Sequence, residues 1–383
     1  MTSYATSNGR VSLEFRNESR CYVSSINNIQ FFAFIKNKPV MIYDGRYSRY
    51  LSDMFEEKDR EFFYIRKENF NFLIILKTLF KNGFKDFMQN YRKNYFDAVN
   101  PKFFITMNDK FKEFYNIKKF KENMKTIVIQ SGTYYPSDLN ILEEVLEKNN
   151  SVIDYYFTFG DQYSHLFKKL FKNTFFFKSG SLRNNNYIKE HSIKKKTILY
   201  ISVFKPGKGK KISENEEITL KLLENFCQKN NMSLTISTRF RNKKDLKHYN
   251  FLNNKHDYEI KDKDDSVYKS INSHEIMVSP DQTVAYEALA LKKKVLIVNP
   301  VEKVTEFFRQ KFNTSSRIWI KQINKEKFYS SLNLLLNSSK DDWEKILLED
   351  FNDYIIYDPN SKKLIAQLNK IGLPISKKYQ KFL

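Results

Sequence analysis

The stretch HEIMVSPDQTVAYEALALKKKVLIVNP, from His274 to Pro300, constrains the fold more than any other part of the chain. An apolar run, a polar turn, a helical pattern and a second apolar run follow one another with almost nothing between them. Short runs without polar alternation read as strands buried on both faces, and such strands belong to parallel sheets covered by helices. The same rhythm recurs on either side of a polar, basic segment, NNNYIKEHSIKKK, which reads as a linker. Before it stand KPVMIYDG, REFFYIR, PKFFITMND, KTIVIQSG, SVIDYYFTFG and NTFFFKSG; after it come TILYISVF, SLTISTRF, the opening motif and RIWI.

Helical spacing fills the intervals. YSRYLSDMFEE reads as a helix, and so does a long segment over 71–95 with Phe72, Ile75, Leu79 and Phe80 on one side. DQYSHLFKKLF follows, and then ENEEITLKLLENFCQKNN with Leu220, Leu222, Leu223 and Phe226. A tail from Asp341 places Trp343, Ile346, Leu347 and Phe351 on one face. A chain of 383 residues exceeds one ordinary core. The pattern therefore predicts two α/β domains. The first spans 1–188; the second spans 189–383 and ends in the helical tail. They face each other across a cleft, and ligands in open α/β sheets sit at the carboxyl ends of strands.

Composition narrows the function classes. Hydrophobic residues make up 41%, enough for packed cores. The net charge of +22 suits nucleic acid, an anionic membrane surface or phosphorylated substrates. Lys, however, is enriched here together with Asn, Ile, Tyr and Phe, whose codons are A/T-rich, so the excess also follows from codon bias spread over solvated faces. Cys21 and Cys227 stand far apart without ligand spacing, against a disulfide scaffold or zinc site. The start, MTSYATSNGR, lacks signal-peptide order, and the longest apolar run, FNFLIILKTLF, is broken by Lys77 and too short to span a bilayer. A cytoplasmic protein is expected, at most peripheral at the inner face of the membrane.

The turn SPDQT carries the chemistry. Ser279 is placed to cap the helix, Pro280 suits its first position, Gln282 stands where a capping box puts its acceptor, and Asp281 complements the helix dipole. The same geometry makes an anion site at the end of a parallel strand. Thr283 adds a hydroxyl to the first turn, and Glu287, four residues on, projects from the same face. Ala285, Ala288, Leu289 and Ala290 around it imply a buried helix, where a carboxylate needs a reason.

The sequence Ser-Pro-Asp-x-Thr, then Tyr-Glu-Ala-Leu-Ala, a basic turn and a strand resembles the nucleotide-sugar element in the second domain of GT-B-fold glycosyltransferases. The nearest group is that of bacterial surface carbohydrate biosynthesis proteins. KTIVIQSGTYY, IDYYFTFGDQYSHLFKK and KSGSLRNN resemble that group's Gln-x-Gly, Phe-Gly and Gly-Ser-x-x-Asn-Asn turns, in order, over roughly 125–300. In such motifs Asn or His often follows the Gln; here it is Ser131, a departure at the position a His-dependent role would need.

The resemblance implies two Rossmann-like domains and a transferase that moves a sugar from a nucleotide-activated donor to a cell-surface polysaccharide, capsular or lipopolysaccharide, or to a lipid-linked acceptor. Ser279, Asp281, Gln282 and Thr283 would meet the phosphates and Glu287 the ribose. Ser202 and Arg239 stand at strand ends on the same side, Arg239 as a phosphate clamp. Gln130, Ser131, Gly132 and Thr133, with Gly180, Ser181, Asn184 and Asn185, would line the acceptor side. Helix dipole and Arg would stabilise the leaving phosphate in place of a metal, and no cofactor is expected. Asp262-Lys263-Asp264 lies in a charged loop and reads as solvated. For a catalytic base, Asp44 and Asp161 are candidates by position alone; His165 reads as a helix-surface residue. Three other readings stay open: a CDP-polyol phosphotransferase of the same fold, a basic nucleic-acid-binding protein, and a non-catalytic partner. Nucleic acid is disfavoured because the aromatics fall in apolar runs and no RNP-type motif occurs.

Overall fold

The computed structural model describes residues 29–30, 35–43, 48–63, 70–149, 152–187, 193–204, 210–238, 243–253, 256–259, 266–298, 316–321, 323–352 and 354–383. Strand β1 (Ile29–Gln30) pairs with β4 (Phe70–Asn71) as a small parallel ladder. The first large sheet contains β2 (Val40–Tyr43), β3 (Arg60–Phe63), β5 (Phe103–Thr106), β6 (Lys125–Ile129), β7 (Tyr155–Thr158) and β8 (Phe175–Lys178). Its order is β3-β2-β5-β6-β7-β8, parallel throughout. The second holds β9 (Lys194–Ile201), β10 (Ser233–Ser237), β11 (Asp257–Glu259), β12 (His274–Pro280), β13 (Lys294–Val298) and β14 (Trp319–Ile320). It is again parallel, in the order β11-β10-β9-β12-β13-β14. The two α/β domains expected from the alternation of apolar runs and helices are both present. Strand order reverses between β2 and β5 in one sheet and between β9 and β12 in the other. These are the positions where open sheets hold ligands.

Strand side chains alternate between faces, and each face of the first sheet has its own cover. Met41, Tyr43, Phe104, Val128 and Tyr156 pack with Phe96, Phe114, Phe167 and Phe171 in a cluster that continues into the second domain. Val40, Ile42, Phe103, Ile105, Ile127 and Ile129 pack on the other side, against Leu364, Ile365, Leu368, Ile375 and Tyr379. Those last five come from the C-terminal helices Lys362–Ile371 and Lys377–Gln380 and, for Ile375, the connection between them. The tail assigned by sequence to the second domain thus returns to complete the first. Ser376 fixes it there, its N–H donating to Met54 O at 2.8 Å and its hydroxyl to Asp53 O at 3.0 Å.

Three local expectations are corrected. The single helix over 71–95 is two, Phe72–Asn82 and Phe87–Val99, because the Gly83 N–H caps Leu79 O and ends the first. Its buried positions are Ile74 and Thr78, whereas Phe80, placed by spacing on the core side, is 89% exposed. The helix after β12 starts at Thr283, not at Pro280. Ser279 and Pro280 pair with Ile297 and Val298 of β13, so ladder formation carries the strand through the proposed cap. Finally, Asn184 and Asn185, at the start of the expected linker, are buried in a short helix, Leu182–Asn185. No described helix is long and apolar enough to cross a membrane.

Candidate active site between the domains

The carboxyl ends of β12 and β6 bring their turns into contact. Thr283, the first residue of the helix Thr283–Ala290, accepts from the Thr133 N–H at 3.1 Å through its hydroxyl. The Tyr135 hydroxyl donates to Asp281 O at 2.8 Å, and Asp281 Oδ1 accepts from Tyr286 at 2.5 Å. A Cβ on Gly132 would stand 3.0 Å from Thr283 Oγ1, so close approach of the turns favours glycine there. Gln282, the N-cap in extended conformation, makes no cap bond; its amide donates instead to Ser279 Oγ at 3.1 Å.

Glu287 stands one turn below, 1% exposed, as the flanking alanines imply. Its carboxylate accepts from the Ser181 hydroxyl at 2.5 Å and the Tyr268 hydroxyl at 2.9 Å, with the Arg183 guanidinium at 3.5 Å. Asn184 donates to its backbone carbonyl at 3.0 Å. Burial first, and then the Glu287 charge, hold the Tyr268 phenol well above its ordinary pKa, so it remains a donor. The Gly-Ser-Leu-Arg-Asn-Asn turn of the first domain is thus fastened to the acidic residue of the second. Arg183, whose place in that turn gave no sign of a role, also donates to Ser131 O at 2.7 Å, tying three segments together.

Other predicted residues turn out to be structural ties. Gln130 is fully buried: its amide donates to Gly132 O at 2.9 Å and accepts from the Phe159 N–H at 2.8 Å, locking the Gln-x-Gly turn to the Phe-Gly turn. Asn185 donates to Ser179 O at 2.7 Å and accepts from the Asp358 N–H at 3.0 Å, holding the returning C-terminal segment. Ser202, also buried, accepts from Tyr249 at 2.7 Å and from the Phe204 N–H at 3.2 Å. Asp161 is 41% exposed and ion-paired with Lys178 at 2.5 Å. His165 is exposed, as its spacing implies. Asp44, Arg239 and the Asp262–Asp264 loop lie outside the described residues.

A carboxylate that sequence reading passed over occupies the switch point of the first domain. Asp109 follows β5 in the polar turn Asn108–Asp109 and is fully buried. Its two oxygens accept from the Ser131 hydroxyl at 2.5 Å and the Ser131 N–H at 3.1 Å; Tyr156 approaches at 3.4 Å. The Asp109 carbonyl accepts from Tyr115 at 2.5 Å and Tyr134 at 3.2 Å. Burial pushes the Asp109 carboxyl above its ordinary pKa, opposed by the Ser131 hydroxyl and the charge of Lys110. Lys110 itself bridges Thr133 O at 2.7 Å and Asp138 at 2.6 Å. The only signal in the sequence was a polar turn ending a fully apolar strand. Among the described residues no group of three or more His, Cys, Asp or Glu is placed to hold a metal ion.

A family described as "putative O-antigen biosynthesis protein" matches residues 127–372, well over half of the chain, including the turns at Gln130–Thr133, Gly180–Asn185 and Ser279–Thr283 but not the Asn108–Asp109 turn. The chain belongs to this family. The match bears out the resemblance to surface carbohydrate biosynthesis proteins. No curated protein sequence matches the chain. Among solved structures, the S. aureus MnaA–UDP co-structure aligns with a TM-score of 0.53 at 12% identity, covering 88% of this chain and 97% of that one. A Methanocaldococcus jannaschii UDP-GlcNAc 2-epimerase, in complex with UDP-GlcNAc and UDP, gives 0.53 at 12% identity over 86% and 99%. The wall teichoic acid polymerase TagF gives 0.49 at 9% over 93% of each chain. At these identities the likeness concerns fold, and the fold is the GT-B type: two Rossmann-like domains facing across a cleft.

Proposed function

We propose that this O-antigen-family chain is a glycosyltransferase that moves a sugar from a nucleotide-activated donor onto a glycan or lipid-linked acceptor in surface polysaccharide assembly. The observation that carries the reading is the buried Glu287, one turn below a helix N-terminus at a switch point and accepting the Ser181 hydroxyl from the opposite domain. A carboxylate so placed accepts equally well from a ribose, exchanging the Ser181 hydroxyl for a donor hydroxyl at little net cost. Thr283 and the first-turn N–H groups then face the phosphates. Arg183, at the domain contact, opposes the charge that grows on the leaving phosphate.

On the acceptor side, Ser131 and Asp109 form the deprotonating pair. A hydroxyl bonded to Ser131 Oγ loses its proton to that oxygen as the serine proton passes to Asp109. Burial, which disfavours the charged carboxylate, makes Asp109 a better base than an exposed Asp. The UDP and UDP-sugar held by two fold neighbours make a uridine donor the first to try.

A thermal-unfolding screen against UDP, GDP, CMP, CDP and a short oligonucleotide tests this reading. One nucleotide at about 100 times its Kd should raise stability by about 2.7 kcal/mol. Stabilisation by the oligonucleotide alone, falling with salt, would overturn the proposal in favour of nucleic-acid binding.

A further inference from the structure

The most exposed large apolar side chains among the described residues are Phe80, at 89%, and Phe84, at 86%, four residues apart in the first domain. They end the helix Phe72–Asn82 and occupy the turn after it. Leu73, Lys77, Phe80 and Lys81 recur at helical spacing, all exposed, and Lys85 follows Phe84. The segment 72–86 carries Lys77, Lys81 and Lys85 against one carboxylate, the exposed Asp86, and so keeps a net positive charge. No ion pair joins any of them to another described residue. A face combining protruding aromatics with a net positive charge matches a surface that is apolar below and negatively charged above.

We infer that this face lies in the plane of an anionic lipid surface, with Phe80 and Phe84 inserted at the headgroup boundary. Its place in the fold suits that role. Tyr95, in the helix Phe87–Val99, donates to Phe62 O near the carboxyl end of β3, at 3.3 Å. The earlier residues of that helix, and the turn before it, therefore extend beyond the end of the sheet, on the side where the cleft opens. Docking there would bring the acceptor side of the cleft to the membrane. This deepens the proposed function by naming where a lipid-linked acceptor is met, and for that it rests on the transferase reading; the docking itself does not.

The test is co-sedimentation of the purified full chain with vesicles of phosphatidylcholine alone or mixed with phosphatidylglycerol. The chain should partition onto the anionic vesicles and hardly onto the neutral ones, less so as salt rises. Phe80→Ser/Phe84→Ser should weaken this about tenfold and Lys77→Glu/Lys81→Glu/Lys85→Glu about a hundredfold. Both variants should keep the wild-type melting temperature and any nucleotide-induced shift. Failure of the wild type to bind anionic vesicles, or unchanged binding by the double-serine variant, would overturn the inference. So would a wild-type dimer in solution that the serine variant abolishes, since the face would then cover a second copy. Absence of any nucleotide shift, with vesicle binding intact, would count against the transferase reading alone.

Discussion

At the scale of single residues, the site is a set of buried polar groups whose partners come from distant parts of the chain. Asp109 shows both the use and the cost. Its folded pKa lies above the unfolded value, so the folded chain holds the proton more tightly than the unfolded one. Its contribution is therefore fully favourable below the unfolded pKa and is lost as pH rises through the folded one. Asp109→Asn removes this dependence. The melting temperature of the wild type, relative to the variant, should decline as pH is raised from about 4 towards neutrality. If the carboxylate is the base, transfer should fall about a hundredfold or more in the variant, whatever its stability. A variant with full activity would remove Asp109 from the chemistry. Nothing in the sequence separated Asp109 from Asp161 or Asp44. What sets it apart is complete burial and the two bonds from Ser131, a residue on the neighbouring strand's turn, and contacts of that range leave no local signature.

At the scale of elements, the apolar runs were legible because parallel strands buried on both faces show no alternation to blur them. VMIY and FFIT are buried at every position, as such runs require. The start of the helix after β12 was not legible, since Ser-Pro-Asp-Gln is good capping chemistry and only the pairing with β13 overrides it. Buried Glu287 was legible from its alanine neighbours; its partners Ser181 and Arg183, one domain away, were not. The turn at Gly180 is where an element-level test is sharpest. Gly180 has φ +69°, and a Cβ there would lie 2.3 Å from Ile356 O of the returning C-terminal segment. Gly180→Ala should cost about 2 kcal/mol or more, seen as a lower unfolding midpoint, because both the backbone conformation and the close approach oppose it. An unchanged midpoint would mean that the turn and the returning segment shift apart freely.

At the scale of the whole molecule, the two domains are joined twice, by the cross-cleft bonds and by a C-terminal segment that leaves the second domain to cover the first. The two-domain plan was readable from the rhythm of runs and helices. The return was not, because an amphipathic tail carries no record of which sheet it covers. Nor does the charge of +22 show by itself which lysines matter. In this arrangement Ser181 and Thr133 occupy the positions at which a donor would engage Glu287 and Thr283, so donor binding must exchange one set of bonds for the other. Isothermal titration of UDP, or of whichever nucleotide the screen selects, into wild type, Ser181→Ala and Glu287→Gln tests that exchange. The account predicts that Ser181→Ala binds at least as tightly as wild type, having lost the competing hydroxyl. Glu287→Gln should bind about tenfold more weakly, having lost a charged acceptor. Equal affinities across all three proteins would contradict it and place the nucleotide elsewhere.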